Sequence, residues 1–178
     1  MILKNNWGSY FSNFPKKHRY LYVDGDWIAF QKSGDSGTIK INAQNINITE
    51  NGKITTSSNN DGNAGSINLE ISELSLNNFA EIASESKSDL FGGNAGTIRI
   101  GKEIVSKDDD NFEITKPGSS VSLFNNSRIS TDALSSGGGK IEIQAKKMLN
   151  VLNSTISTNV QDGSGKGGDV KLILDLQY

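Results

Sequence analysis

The chain has 178 residues, enough for one domain with a core, but only 34% of them are apolar and 7% are aromatic. A formal net charge of -2, with basic residues scattered among acidic ones, gives no support for a nucleic-acid partner. The absence of cysteine excludes disulfides and thiolate metal sites, and no stretch approaches the roughly 18 apolar residues that a membrane span needs.

The first part of the chain differs from the rest. Residues 1–20 show no recognisable export signal, and we expect them to form a mobile lead segment. Alternating apolar residues then begin at Leu21 and Val23 and continue at 27–29, which predicts a divergent coil before Gly37. This interpretation places a repeat region at 21–178.

One short phrase, a glycine followed by two alternating apolar residues, recurs along the chain, as in "GNAGSINL" and "GNAGTIRI". Repetition of this kind is typical of solenoids, in which each unit buries its apolar face against its neighbours. We therefore interpret the phrase as a building unit whose glycine marks a corner. These glycines are Gly37, Gly65, Gly96, Gly139 and Gly168, spaced 28, 31, 43 and 29 residues apart.

Each unit carries three short apolar runs separated by polar turns, without the 3.6-residue period of an amphipathic helix. In the first unit the first two runs contain Ile39 with Ile41 and Ile46 with Ile48. The third run is marked by an isoleucine followed by small residues, at Ile54, Ile82, Ile129 and Ile156. The pattern predicts an all-β fold, a single-stranded parallel β-helix with three short strands per coil and about five coils, whose inward residues form ladders about 4.8 Å apart.

The third unit is longer than the others, which predicts an insertion near 102–120 between its first and second runs. Within it, the acidic residues Asp108, Asp109, Asp110 and Glu113 could gather oxygen ligands around calcium. An acidic run in an insertion is more typical of a solvated loop, so we assign no metal site there.

Few residues qualify for chemistry. His18 is the only histidine and has no nucleophile-elbow pattern beside it, so we expect no Ser-His-Asp or Cys-His system. The G-x-G-x-x-G match at Gly163, Gly165 and Gly168 precedes a strand rather than a helix, which favours corner glycines over a phosphate site. We therefore assign no catalytic, cofactor-binding or metal-binding residue and expect no cofactor.

Two surface rows offer alternatives. Carbohydrate-active β-helix enzymes need acids a few Å apart on one face, whereas the aligned outward positions here mix both signs, which favours a solvated face. The Ser and Thr residues after Ile54, Ile129 and Ile156 could form an outward hydroxyl row, as in some ice-binding solenoids. A hydroxyl ladder that only satisfies a polar face is the preferred interpretation. The aligned outward positions of the first of these rows, which mix both signs of charge, are Lys40, Asn68, Arg99, Glu142 and Lys171.

The sequences of the repeat units resemble those of a known family. "GTIKINAQNINITENGKITTSSNNDGNAGSINLEI" and "GGGKIEIQAKKMLNVLNSTISTNVQDGSGKGGDVKL" look like the repeats of filamentous-haemagglutinin-like exoproteins of the two-partner secretion type, in the cyanobacterial style. The resemblance covers Ser33 to Leu174. It implies a right-handed parallel β-helix, export through an outer-membrane partner pore, and adhesive or structural work at a host, cell or glycan surface. The family's N-terminal signal peptide and secretion domain are not visible in this chain.

The functional hypothesis is a non-enzymatic structural and adhesive segment of a secreted or surface-attached bacterial exoprotein. One alternative is a carbohydrate-active β-helix enzyme of polysaccharide lyase or glycosidase type, which a groove with clustered acids and Lys or Arg would favour. Another is an inactive fragment of a larger exoprotein. Open coil ends would expose strand edges, so we also expect self-association.

Overall fold

The computed structural model describes residues 34–59, 61–87, 92–101, 119–161 and 165–174 and, outside these ranges, the backbone of six short strands. The described residues form strands and connections without a helix, which confirms the all-β prediction. Among them there is accordingly no helix that is long and apolar enough to cross a membrane. The chain divides into two units, Met1–Ser33 and Gly34–Tyr178.

The first unit contains two antiparallel strand pairs. Strand β1 (Leu3–Lys4) pairs with β2 (Tyr10–Phe11), and β3 (His18–Val23) pairs with β4 (Asp26–Gln31). The divergent coil predicted from Leu21 onward is therefore wrong, because a coil would pair in parallel with the next coil. The sequence between β3 and β4 is Asp-Gly, the usual signal for a two-residue hairpin, and a hairpin strand shows the same apolar alternation as a solenoid strand. The mobility expected for 1–20 stays a prediction.

The second unit is a parallel β-solenoid of about four turns, with one further strand that begins a fifth turn. Coil 1 contains β5 (Ile39–Ile48) and β6 (Lys53–Ser58), and coil 2 contains β7 (Ile67–Leu76) and β8 (Glu81–Ser86). Coil 3 contains β9 (Thr97–Ile100), β10 (Val105–Lys107), β11 (Glu113–Thr115), β12 (Ser120–Phe124) and β13 (Arg128–Ala133). Coil 4 contains β14 (Lys140–Gln144), β15 (Met148–Leu152) and β16 (Thr155–Val160), and β17 (Asp169–Ile173) follows.

Three faces run along the solenoid, as the three apolar runs per unit predict. The first face is formed by β9, β14, β17 and the first halves of β5 and β7, and the second face by β12, β15 and the second halves of β5 and β7. The third face consists of β6, β8, β13 and β16. In coils 1 and 2 the first two runs lie in one ten-residue strand. Two consecutive exposed residues, Ser72 and Glu73 in β7, break the alternation there and turn the inward side from the first face to the second.

Ladders of equivalent apolar residues form the core. On the first face Ile39, Ile67, Ile98, Ile141 and Val170 are successive register partners. The three middle members are fully buried. Burial of such a side chain contributes about 1.5–3 kcal/mol, and each member obtains this burial only from the coils above and below it.

The recurring glycine is a corner of the stack, as predicted. A Cβ on Gly96 would lie 1.9 Å from the carbonyl oxygen of Gly65, and a Cβ on Gly65 would lie 1.8 Å from that of Gly37. Ser84 Oγ accepts a hydrogen bond from Gly96 N (2.9 Å) and donates one to Gly65 O (2.8 Å). The backbones of adjacent coils therefore touch at this corner, and a side chain there would force them apart.

The asparagine of the GNAG phrase joins successive coils. Asp35 Oδ1 accepts from Asn63 N (2.7 Å), Asn63 Oδ1 accepts from Asn94 N (2.9 Å), and Asn94 Oδ1 accepts from Gly137 N (2.9 Å). Each side chain thus satisfies a backbone N–H of the next coil, where the regular strand pairing is interrupted. The GNAG phrase therefore occurs twice because each copy supplies these contacts between adjacent coils.

The hydroxyl residues of the third face do not form a single outward row. Strand alternation points Thr55 outward and Thr56 inward, and the inward row continues through Ser84 and Thr131, which are buried. Thr56 Oγ1 donates to Gly65 O at 2.9 Å. The alternative of an outward hydroxyl row is therefore wrong for Thr56 and Thr131, which point inward and pack at the glycine corner as Ser84 does.

A second corner connects the second and third faces through left-handed residues. The pairs Glu50–Asn51, Asn78–Phe79 and Asn125–Asn126 all have φ between 50° and 63°. Asn78 Nδ2 donates to Glu50 Oε1 at 2.8 Å, which links two of these corners side by side. Asparagine tolerates this conformation well, and Phe79 is the one bulky aromatic residue among the six.

The insertion predicted near 102–120 branches from the solenoid after β9. The backbone described there contains β10 and β11, which pair with each other antiparallel and not with a solenoid strand. Strand β12 then resumes the second face in register with β7. The extra residues of coil 3 therefore leave the stacking of coils 2 and 3 unchanged.

Candidate functional site

The outward row of the first face has the predicted register. Lys40, Asn68, Arg99, Glu142 and Lys171 are successive partners, and the first four line a shallow groove of about 470 Å³. The prediction that positive and negative side chains share one outward row is confirmed.

Glu142 is the carboxylate of this row, and its surroundings hold it ionised. Its Oε2 lies 3.1 Å from Lys140 Nζ, and its Oε1 lies 4.0 Å from Lys171 Nζ. The hydrogen bond from Lys140 holds the pKa of Glu142 below its ordinary value, against partial burial, and the positive charges of Lys140, Lys171 and Arg99 act in the same direction. A general acid needs a raised pKa, so these contacts do not prepare Glu142 to donate a proton.

Among the described residues, a dense cluster of charge lies on the third face. Strand register places Lys53, Glu81 and Arg128 side by side in coils 1, 2 and 3, and places Glu85 beside Asp132 in coils 2 and 3. These five outward residues, which we call the third-face charge cluster, combine three carboxylates from adjacent coils with two cations. This is the kind of arrangement that the enzyme hypothesis requires.

Arg128 occupies the centre of the third-face charge cluster. Its guanidinium pairs with Glu81, with Nε 3.1 Å from Oε1, and its Nη2 and Nη1 lie 3.2 Å from Glu85 Oε1 and 3.4 Å from Asp132 Oδ2. Lys53 Nζ lies 2.6 Å from the other oxygen of Glu81. The three carboxylates are thus bridged by cations.

Two small outward residues lie within the ring of charged groups. Ala83 and Ser130 are register partners, and both are 0% exposed although they are on the outer side of their strands. Arg128 reaches past them to Asp132 on its own strand and to Glu85 on the neighbouring strand, so its long side chain covers them. The small size of these residues allows the guanidinium to lie close to the sheet.

The electrostatics of the third-face charge cluster follow from these contacts. Burial acts to raise the pKa of Glu81, but hydrogen bonds and charge from Lys53 and Arg128 outweigh it and hold the pKa below the ordinary value. Burial acts to lower the pKa of Arg128, and Glu81, Asp132 and Glu85 outweigh it in the opposite direction. The cluster therefore keeps Glu81 ionised near neutral pH, whereas a general acid would need a raised pKa.

A groove of about 280 Å³ adjoins the third-face charge cluster. Its lining includes Glu85, Asp132 and Arg128 together with Lys87 and Gln161. Lys87 Nζ pairs with Glu85 Oε2 at 2.8 Å, and Asn159 Nδ2 donates to Asp132 Oδ1 at 2.9 Å. Within the described ranges no three His, Cys, Asp or Glu residues converge on a point that could hold a metal ion.

Sequence reasoning missed this cluster, although the signal was present. The third runs "KITTS", "EIASE", "RISTD" and "TISTN" align in the observed register, which places Lys53, Glu81 and Arg128 in one column and Glu85 and Asp132 in another. A comparison of every outward column would predict which charges share a column, but not that the Arg128 guanidinium contacts Glu81, Glu85 and Asp132 together.

The other residues considered for chemistry lie elsewhere. His18 begins β3 and Glu113 begins β11, where only the backbone is described, and Asp108, Asp109, Asp110 and Gly163 lie outside the described residues. A Cβ on Gly168 would lie 1.7 Å from the carbonyl oxygen of Gly139, and one on Gly165 would lie 2.1 Å from that of Ser136. These two glycines are corners of the stack, as predicted.

No protein-family model matches this chain, and no curated protein or solved structure is significantly similar to it. The resemblance of its repeats to filamentous-haemagglutinin-like exoproteins gains no support from these comparisons. The functional argument therefore rests on the solenoid and on the surfaces that it presents.

Proposed function

We propose that the chain is a structural and adhesive segment of a secreted or surface-attached bacterial exoprotein, exported through an outer-membrane partner pore. The observation that supports the structural role in this proposal is the unbroken register of the third face. All six residues of β6 pair with β8, all six of β8 with β13, and all six of β13 with β16. Such stacking produces a rod that displays equivalent side chains about 4.8 Å apart.

The third-face charge cluster supports the same role. Arg128 in coil 3 bridges Glu81 and Glu85 in coil 2, and Glu81 is bridged in turn to Lys53 in coil 1. The Arg128 contacts join coils 2 and 3 and the Lys53 contact joins coils 1 and 2, so the cluster ties three coils together along the outside of the solenoid. Networks of this type resist separation of neighbouring repeats more than isolated surface pairs do.

A second candidate function is carbohydrate cleavage on the third face. The observation that favours it is the placement of Glu85 and Asp132 as register partners at the edge of the same groove. Glycosidases and lyases on parallel β-helices place acids in this manner. In this hypothesis a sugar would have to displace Arg128 from both carboxylates before either could act on it.

One experiment separates the two functions. Beads coated with the 178-residue protein are tested for adhesion to bacterial cells and polysaccharide films, and the soluble protein is tested for release of reducing or unsaturated ends from the same polysaccharides. Adhesion above that of beads coated with the heat-unfolded protein, without cleavage, is the expected result. Cleavage that disappears in the double variant Glu85→Gln, Asp132→Asn would establish the enzyme instead, and absence of adhesion would refute the adhesive proposal.

A further inference from the structure

Phe79 is an unusual residue type for the corner that it occupies. Its φ of 61° is left-handed, and the residue is 58% exposed. The second residue of the corresponding corner is Asn51 in coil 1 and Asn126 in coil 3. A bulky aromatic residue is disfavoured in this region of φ, and an exposed ring recovers little by burial. A strained, exposed aromatic side chain is a reason to look for a ligand.

Phe79 lies in the corner that follows the second face, and its backbone is bonded to the equivalent corner of coil 3. Its N–H donates to Asn125 O at 3.0 Å, and Asn125 directly follows Phe124 at the end of β12. Strand alternation points Phe124 outward, since its neighbour Leu123 is fully buried. Leu152, the register partner of Phe124 in coil 4, is also exposed. We call this set of two phenylalanines and one leucine, Phe79, Phe124 and Leu152, the aromatic edge.

The surface next to the aromatic edge is polar and mostly uncharged. Asn47, Ser75, Ser122 and Asn150 form its central outward row in consecutive coils. This row borders a groove of about 690 Å³, whose lining also includes Phe124. Among the described lining residues the charged ones are Glu73 and Lys147, which both lie at the border with the first face. The first and third faces, in contrast, carry rows of lysine, arginine and carboxylate.

We propose that the second face binds an uncharged polysaccharide, with the aromatic edge as its anchor. A pyranose ring has an apolar C–H face that an exposed phenyl ring can stack on, and its hydroxyl groups match amide and hydroxyl side chains repeated about 4.8 Å apart. An anionic polymer would instead favour a row of cations, and a lipid surface would need a continuous apolar patch. The proposal rests on the adhesive function and names the chemistry of the adhered surface.

Calorimetric titration of the full 178-residue protein tests the proposal. The probes are cellohexaose, maltohexaose and mannohexaose, with hexagalacturonate as the charged comparison. We expect at least one neutral hexasaccharide to bind, and we expect Phe79→Asn to weaken that binding at least tenfold. Asn is the residue at the equivalent corners, so this variant should unfold at the same temperature as the wild type or higher. Phe124→Ser provides a second test of the same site and is expected to weaken binding as well.

Leu174→Asn is the matched control, because it removes a similarly exposed apolar side chain outside the second face and should leave affinity unchanged. The proposal is overturned by any of three results: none of the three neutral hexasaccharides binds, Phe79→Asn binds as tightly as the wild type, or hexagalacturonate binds more tightly. A Phe79→Asn protein that unfolds at a lower temperature would also overturn it, since the ring would then be structural. Adhesion of coated beads that neutral hexasaccharides do not inhibit would refute this proposal while leaving the adhesive function intact.

Discussion

The inner and outer coils of this solenoid share one sequence pattern but differ in burial. Ile67 and Ile98 in coils 2 and 3 are fully buried. Their register partner Ile39 in coil 1 is only partly buried, and Val170 in β17 is 43% exposed. An inward residue is buried only if a coil lies on each side of it. Equivalent positions of the repeat therefore contribute unequally to stability. The contribution of each position depends on whether a coil lies on both sides of it, and not on its residue type alone.

Truncation of a core isoleucine should give the largest contrast between inner and outer coils. Ile98→Ala removes a fully buried side chain between two coils, and we expect it to lower the free energy of unfolding by about 2–5 kcal/mol. Ile39→Ala removes a partly buried side chain from the same ladder, and the expected loss is about 1 kcal/mol. Urea denaturation followed by circular dichroism measures both. Equal losses would show that coil 1 is as well covered as coil 3.

The glycine corner provides the second contrast. In Gly96→Ala the new Cβ would lie 1.9 Å from Gly65 O, so the coils must separate, and we expect a loss of about 1–3 kcal/mol. Gly37 has the same place in coil 1, but nothing lies within 4 Å of its Cβ position. Gly37→Ala should be neutral or stabilise by up to about 1 kcal/mol, because alanine restricts the unfolded chain. A loss for Gly37→Ala as large as for Gly96→Ala would contradict the stacking explanation.

Charge removal on the third face should have a smaller effect. Arg128→Met keeps an unbranched side chain over the strand but leaves Glu85 and Asp132 without their shared cation, and we expect a loss of about 1–2 kcal/mol after allowance for the partial exposure of the guanidinium. Lys53→Met, in coil 1, removes an ammonium whose side chain is more exposed, so the expected loss is below about 1 kcal/mol. Thermal unfolding of both variants in low salt measures the difference. A larger loss for Lys53→Met would refute the central place of Arg128.

The smallest expected effect is a dependence on pH. The pKa of Glu81 is lowered from its ordinary value of 4.5 in the folded chain, so its ionised form stabilises the fold above that pH, and this contribution is lost as the pH falls through the folded-state pKa. The difference in unfolding free energy between wild type and Glu81→Gln should therefore shrink as the pH is lowered from 7. Urea denaturation over a series of pH values measures it. For Ile98→Ala, which changes no titratable group, the difference from wild type should not vary in this way.

The repeat was predictable because its signals are local. Alternation at Ile39, Ile41, Ile46 and Ile48 identifies inward residues, and the glycine at each corner identifies where coils touch. The same alternation failed at Leu21 and Val23, because it does not distinguish a strand that pairs antiparallel within a hairpin from one that pairs in parallel with the next coil. Strand direction depends on the partner, which the local pattern does not contain.

The sequence by itself determined the all-β class, the three faces and the order of their inward ladders, since side chains alternate in any strand and glycine alone permits the close approach at Gly96. Only the tertiary structure decided that Arg128 contacts three carboxylates from two coils and that Phe79 is exposed in a left-handed corner bonded to Asn125. Both depend on the register between residues more than forty positions apart. That register follows from how the coils stack around the shared core, a property of all the coils together.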